Sequence, residues 1–493
     1  MVENQFYCAR FYVTYRCNSR CVYCNVWRKK EFQNVEEMSL EKAKRLLDQC
    51  YEHGVRYADF TGGEPTLYPY LAEVLAYAKS LGIKTEVTSN CIASISKRKM
   101  LEAAKVADKF NTSLDTLDNR AYHQIRGVDC CDNVKDTVAE IAKVRAPKIM
   151  TVVTEGNIHE LDTMIDYAAK NKALIYLSPM FPYIDRDGKY QISQFMPDIV
   201  KRIFKPYTVV LLHFMNFFKN ATANHLPPCS ANRHTLTFAP NGNLVLPCYH
   251  AIKDEIAWND NLTAAINSPL FKAYAKSSGS LPECRGCCVI PYFGISFNYQ
   301  LNKYFLLQSY SEKLYHLKRD GLNELMVKYP LKTEALDNEL QEMIAMAEDL
   351  TYEPDMKAWQ DPNSPLYPVE VNGDKFISPL YQEPLTCAFY EKEKMAKDCW
   401  QLTKVPHCFF DKFCQKVIYP VLKGEKKVAD EATFLVDVLR FQIRWWKFYM
   451  ARFFKLKHDY AVIKEIVWLK MYFKEMQDEN NAEVISEGLN LLK

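Results

Sequence analysis

The chain has 493 residues, room for two or three domains, and its 48% apolar and 25% charged content is that of a soluble globular protein, not a disordered or fibrous one. A formal net charge of only +3 gives no electrostatic case for nucleic acid as a partner. Seventeen cysteines would imply disulfides in a secreted chain. However, Met1-Val-Glu-Asn-Gln-Phe-Tyr7 lacks the apolar run of a signal peptide, so reduced cytoplasmic thiols are expected, several of them binding metal.

Ala9–Tyr15 reads as a first strand. Directly after it, Tyr15-Arg-Cys-Asn-Ser-Arg-Cys-Val-Tyr-Cys24 places Cys17, Cys21 and Cys24 as C-x3-C-x2-C, with the aromatic Tyr23 just before the last cysteine. Three thiolates on a tight loop can hold three irons of a [4Fe–4S] cube and leave the fourth open to a ligand. A structural zinc site closes its shell with four protein ligands, and this loop has no fourth Cys or His. Cys8 would lie roughly 30 Å from Cys17 along a strand rising ~3.3 Å per residue. The loop therefore reads as catalytic, with zinc as the alternative.

Strand and helix patterns then alternate to about residue 185. Ser39–Cys50 is a capped amphipathic helix, Val55–Phe60 a second strand, and Tyr70–Lys79 a helix stopped near Gly82. Lys84–Asn90, Phe110–Asp115, Ile149–Thr154 and Leu174–Pro179 complete six strands. Such alternation implies parallel pairing through right-handed crossovers and an incomplete barrel, with the site at the C-terminal strand ends. Phe60-Thr-Gly-Gly-Glu-Pro65 follows the second strand. Gly62 and Gly63 let a ligand's polar end approach the backbone, and Glu64 offers a carboxylate to an ammonium group. A plain strand-to-helix turn is the other reading. Asn111-Thr-Ser-Leu-Asp-Thr-Leu-Asp118, followed by Ile125-Arg-Gly127, marks strand four.

The cysteine motif after a first strand, with the Gly-Gly-Glu-Pro segment at the expected place, resembles the radical S-adenosylmethionine (SAM) superfamily. The resemblance implies a partial (β/α)6 barrel of the TIM type. It also implies a cluster whose open iron is chelated by the amine and carboxylate of SAM, and cleavage of SAM to methionine and a 5′-deoxyadenosyl radical that abstracts hydrogen from a substrate. By the same resemblance Gly62, Gly63 and Glu64 hold the methionyl amine, Ser113 and Arg126 meet the SAM carboxylate or ribose, and Tyr23 touches the adenine through its backbone. Asn90 and Thr154, ending strands three and five, are further candidates. An external one-electron donor such as flavodoxin or ferredoxin is implied as a partner. Asp115 as a turn cap and Arg126 as a surface residue are the plain alternatives. Cys50, Cys91, Cys130 and Cys131 lack ligand spacing and read as packing thiols.

In the middle, Cys229 precedes His234–Cys248, a hairpin in sequence form around Asn241-Gly242. Pro282-Glu-Cys-Arg-Gly-Cys-Cys288 then supplies a C-x2-C. Cys229, Cys248, Cys284 and Cys287 give four thiolates, enough to close a second cube or a zinc site, and Cys288 could replace Cys287. This arrangement resembles the auxiliary-cluster domains called SPASM and twitch. The further C-x5-C-x3-C of a full SPASM domain is missing, which implies a single auxiliary [4Fe–4S] cluster.

From about residue 290 the resemblance ends. Ser311–Lys318 and Ala335–Ala347 have helical spacing, and Glu353–Pro384 is proline-rich loop or linker. Residues 434–454 form an apolar, aromatic helix interspersed with Arg440, Arg444, Lys447 and Arg452. It could lie on a membrane surface or cover a lipid, or pack in a bundle with its cations reaching out. Cys387, Cys399, Cys408 and Cys414, with His407, show no ligand spacing. Together these readings predict an α/β chain with a barrel over residues 1–200, an auxiliary-cluster domain over 201–290 and a helical domain over 291–493. The substrate, whether peptide, small molecule or lipid, is not specified. The hexapeptide Ser113–Asp118 also resembles the GTP-cyclising enzyme of molybdopterin synthesis, whose auxiliary cysteine spacing and C-terminal double glycine differ. A non-catalytic iron–sulfur carrier or sensor is the remaining alternative.

Overall fold

The computed structural model describes residues 6–92, 97–179, 196–210, 226–227, 229, 231–249, 251–287, 289–293, 296, 310–311, 313–349, 369–371, 374–376, 413–453, 459–476 and 482–491. Up to Pro179 it alternates strand and helix: β1 (Cys8–Thr14), α1 (Leu40–Glu52), β2 (Tyr57–Gly62), α2 (Leu71–Ser80), β3 (Lys84–Ser89), α3 (Lys97–Val106), β4 (Lys109–Ser113), α4 (Asn119–Arg126), α5 (Cys131–Ala142), β5 (Lys148–Val153), α6 (Leu161–Lys170) and β6 (Leu174–Pro179). The six strands pair parallel in chain order, the α/β partial-barrel topology predicted. Two residues of local chemistry start α1 and α4. The Ser39 side chain accepts from Lys42 N and the Asp118 side chain from Ala121 N, each satisfying an amide that the first helical turn leaves orphaned.

Strand alternation divides the sheet into two unlike faces. Phe11, Phe60, Val87, Phe110, Ile149 and Ile175 are at most 2% exposed and lie on the face that crossover helices cover in such a barrel. Phe11 stacks between Phe60 and Phe238, at centroid distances of 5.2 and 5.1 Å. Leu46 and Leu47 of α1, fully buried, each contribute ~1.5–3 kcal/mol by leaving water. The opposite face is polar. Arg10 pairs with Asp59, its register neighbour on β2. Glu86 on β3 accepts from Lys148 at 3.3 Å and from Asn111 and Tyr57.

The predicted hairpin forms, and it joins the barrel sheet. Thr235–Phe238 runs parallel to β1 on the side away from β2, with Cys8 opposite Thr235 and Phe11 opposite Phe238. Leu244–Leu246 returns antiparallel to it, and Asp254–Ile256 pairs with that strand in turn. Residues 1–202 and 218–296 thus make one compact unit, and residues 203–217 and 297–493 a second.

The second unit is helical, with Asn323–Lys328, Asp337–Asp349, Glu431–Phe453, Asp459–Glu475 and Ala482–Leu491 as its principal described helices. The membrane-surface reading of residues 434–454 is not supported. Leu435, Val438, Leu439, Phe441 and Ile443 are at most 1% exposed. Three of the interspersed cations meet acids of neighbouring helices: Arg440 reaches Glu339 at 3.2 Å, Arg444 reaches Glu465 at 3.1 Å, and Lys447 meets Glu342 and Glu465; the Arg452 side chain lies outside the described residues. The helix is therefore packed in a bundle, with Arg440, Arg444 and Lys447 paired to acids of its neighbours. No described helix is long and apolar enough to cross a membrane. Lys318, 1% exposed, donates to the carbonyls of Ile203, Lys205 and Thr208, tying the 203–208 segment to the helices. Cys414 is buried. Cys387, Cys399, Cys408 and His407 lie outside the described residues, as does most of Glu353–Pro384, within which Val369–Val371 pairs with Asp374–Phe376.

Candidate functional site

The cysteine loop leaves β1 at Thr14 and is held from two sides. On one side stands the double glycine. Gly63 N donates to Thr14 O at 2.7 Å and Glu64 N to Arg16 O at 2.8 Å. A Cβ on Gly63 would fall 2.1 Å from Arg16 O, and one on Gly62 would fall 2.1 Å from Thr14 O. The loop backbone occupies the space a side chain would need, so both glycines are required to seat it, a use that the motif does not reveal by itself. On the other side stands the end of α4. Ile125 O accepts from Val22 N at 3.0 Å, and Arg126 O accepts from Arg20 N at 2.9 Å and Ser19 Oγ at 3.0 Å. These carbonyls, left unpaired by the helix end, are satisfied by the loop.

Glu64 is fully buried and accepts four hydrogen bonds. Thr66 N (3.1 Å), Thr66 Oγ1 (2.7 Å) and Ser89 Oγ (2.8 Å) reach Oε1, and Asn90 N (2.7 Å) reaches Oε2. Burial pushes its carboxyl pKa up against these donors. The carboxylate thus joins the β2 end to the β3 end, and Oε2 retains acceptor capacity for a further donor. Asn90 belongs to the same lattice: its Nδ2 donates to Asn18 Oδ1 at 2.7 Å and lies 3.9 Å from Cys17 Sγ. Ser113 ends β4, half-buried, in register with Met150. Thr154 is engaged locally, its N and Oγ1 facing Asn157 Oδ1 at 2.8 and 3.4 Å, which is a turn contact.

Arg126 departs from expectation. It is 5% exposed, so it is not a surface residue. Its Nη2 lies 2.7 Å from Asp115 Oδ2, its Nη1 lies 3.5 Å from Cys21 Sγ, and its Nε is buried without a partner. Tyr23 OH donates to the same Asp115 oxygen at 2.9 Å, so the Tyr23 side chain also faces inward. Asp115 does more than cap a turn: its Oδ1 accepts Val152 N at 2.9 Å, which ties β4, β5, α4 and the cysteine loop together.

Burial pushes the Cys17 thiol up to about 12 and raises Cys24 as well. A metal that replaces the proton is what would hold such sulfurs as thiolates. Among the described residues no three His, Cys, Asp or Glu side chains form a group that could hold a single metal ion as they stand. A closed zinc site takes four protein ligands, whereas a cube takes one thiolate per iron and needs only three to leave one iron open. The loop, with three thiols, backbone donors, Ser19 and the Arg126 cation around them, fits the latter donor set.

Cys229, Cys248, Cys284 and Cys287 are all half-buried. Burial, then Cys248, Cys287 and Cys284, raise the Cys229 pKa. Cys287 N donates to Cys284 O at 3.1 Å, closing the C-x2-C turn; Cys288 lies outside the described residues. One cluster of Tyr15, Val26, Phe32, Val245, Tyr249 and Tyr292 packs against Cys24 on one hand and Cys229, Cys248 and Cys287 on the other. Tyr249 stacks on Tyr12 at 4.0 Å, and Tyr292 OH meets Tyr12 OH at 2.9 Å. The sequence carries no signal for Tyr292, because its partner Tyr12 is 280 residues away. Asp115, by contrast, is visible within Ser-Leu-Asp.

Residues 11–168 match the model of the Radical SAM superfamily. This region is a radical SAM domain. It holds all three site motifs, from the cysteine loop to α4. The chain is 32% identical over 163 residues to a protein named "probable GTP 3′,8-cyclase" of Sulfurisphaera tokodaii, a match covering 32% of this chain and 51% of that protein. It is 29% identical over 191 residues to a protein of the same name from Pyrococcus abyssi, covering 38% and 60%. The chain therefore spans between half and two thirds of these relatives' length. Among solved structures, SuiB of Streptococcus suis aligns with a TM-score of 0.46 and 20% identity, over 58% of this chain and 74% of that one.

Proposed function

We propose that the protein is a radical SAM enzyme in which Cys17, Cys21 and Cys24 hold a [4Fe–4S] cluster beside a bound SAM. The observation that carries this is convergence: the cysteine loop is hydrogen-bonded to the Gly-Gly-Glu segment on one side and to Ile125-Arg126 on the other, so three motifs spread over more than a hundred residues form one site at the C-terminal strand ends. The cluster, when bound, supplies one electron to SAM. The chain's residues supply placement and a dry setting. Gly62 and Gly63 bring β1 and β2 together, Glu64 fixes the segment that would face the methionyl amine and has acceptor capacity left on Oε2 beside the Asn90 N bond, and Asn90 braces Cys17. Ser113 is the candidate for the SAM carboxylate or ribose, and the Tyr23 backbone the candidate for the adenine.

Cys229, Cys248, Cys284 and Cys287 would hold one auxiliary [4Fe–4S] cluster, on the strength of the electrostatic influence of the other three on Cys229 and the common packing of Cys229, Cys248 and Cys287. The substrate is left as an organic molecule that yields a hydrogen atom, and the electron comes from an external carrier. The test is anaerobic reconstitution, reduction with dithionite, addition of SAM and assay for 5′-deoxyadenosine. The nucleoside should form with the wild-type protein and be lost in Cys17→Ala, Cys21→Ala or Cys24→Ala. A fully loaded, reduced wild-type protein that leaves SAM intact would favour an electron carrier instead.

A further inference from the structure

We propose that Arg126 is a positioning residue for the cluster and not a SAM contact: held by Asp115 and Tyr23, it donates to the Cys21 sulfur and raises the cluster's reduction potential. This rests on the reading that Cys17, Cys21 and Cys24 hold a [4Fe–4S] cluster.

Both ends of Arg126 address the loop. Its carbonyl accepts from Ser19 Oγ and Arg20 N, which fixes the loop's path two residues before and one residue before Cys21. Its Nη1 lies 3.5 Å from Cys21 Sγ. The guanidinium cannot easily turn elsewhere. Nη2 is held at 2.7 Å by Asp115, and Asp115 is itself anchored by Val152 N and Tyr23 OH. The Tyr23 ring lies beneath the guanidinium, 5.5 Å from Cζ to centroid. Gly127 completes the device. It takes φ +69°, and a Cβ there would fall 2.7 Å from Arg20 O, so the loop presses directly on the residue after Arg126. A fixed cation that hydrogen-bonds a ligand sulfur favours the more negative, reduced state of a cluster, because hydrogen bonds to the sulfurs and local charge set such potentials.

The experiment is an EPR-monitored potentiometric titration of the reconstituted full chain without SAM, following the signal that SAM perturbs when it is added afterwards. Arg126→Met should lower the midpoint so that at least a tenfold more reducing donor ratio is needed, about 59 mV for a one-electron couple. Arg126→Lys keeps the charge but loses the fork, and should shift the midpoint less in the same direction. It also keeps the test usable if the Met variant does not load iron. SAM affinity of the Lys variant, read from the same EPR perturbation, should stay at the wild-type value. An unchanged midpoint with weakened SAM binding in either variant would overturn the proposal and return Arg126 to the SAM carboxylate. A wild-type loop that takes up no iron would sink the cluster reading itself, a result visible before any variant is made.

Discussion

Glu64 shows how much a single buried carboxylate can organise. Four donors from two strand ends converge on it. In Glu64→Ala those donors lose their acceptor, and each buried unsatisfied group costs ~1–3 kcal/mol. Chemical denaturation should show a loss of roughly 3 kcal/mol or more, with lower iron uptake. Glu86 offers a pH-dependent counterpart. Burial opposes its charge, but Lys148, Lys109 and Asn111 outweigh burial and hold its pKa at about 2 instead of 4.5. Its contribution is therefore present above pH ~4.5 and is lost as pH falls toward ~2. A carboxyl pKa held down this far corresponds to a contribution on the order of 3 kcal/mol. Glu86→Gln should be less stable than wild type at pH 7, and the gap should close between pH ~4.5 and ~2. A gap independent of pH would mean the side chain acts by packing alone.

At the scale of elements, the site is built where strand and helix ends meet the cysteine loop, and small residues decide whether they can. Gly63→Ala would place a methyl group 2.1 Å from Arg16 O, and because that atom is backbone the loop must move. Iron per chain should fall while far-UV circular dichroism stays near wild type. Gly156→Ala, whose Cβ would have only Thr154 Oγ1 near it, at 3.6 Å, serves as the comparison and should load iron normally. Equal iron uptake in the two variants would show that the glycine contact does not govern loading. These elements are legible as elements. The predicted strands fall within two residues of β1–β6, since period-two alternation and flanking turn residues are local signals. What could not be read was which neighbour each glycine admits.

At the scale of the molecule, the hairpin is the main revision. The cysteine pattern predicts it in a domain of its own over residues 201–290, and it instead pairs with β1 and continues the barrel sheet. The auxiliary thiols are thereby carried on the same compact unit as the cysteine loop, with Tyr12, Tyr15, Tyr249 and Tyr292 packed between the two sets. If each set holds its own cube, the triple variant Cys17→Ala, Cys21→Ala, Cys24→Ala should retain about four irons per chain, and the wild type about eight. Retention of none would mean that the second set loads only through the first, or binds no cluster. The long aromatic helix of residues 431–453 illustrates the same point in the second unit. Arg440, Arg444 and Lys447, which by composition suit a lipid surface, are used to pair Glu339, Glu465 and Glu342.

The sequence by itself determined the order of strands and helices, the parallel barrel and the three motifs that mark the site, because spacing, caps and turn residues act between near neighbours. Only the tertiary structure decided that Arg126 serves Asp115 and Cys21, that the double glycine makes room for Thr14 and Arg16, and that Tyr292 meets Tyr12. Those contacts join residues tens to hundreds of positions apart, and which of several equally suitable partners a buried charge or an empty Cβ position receives is settled by packing alone.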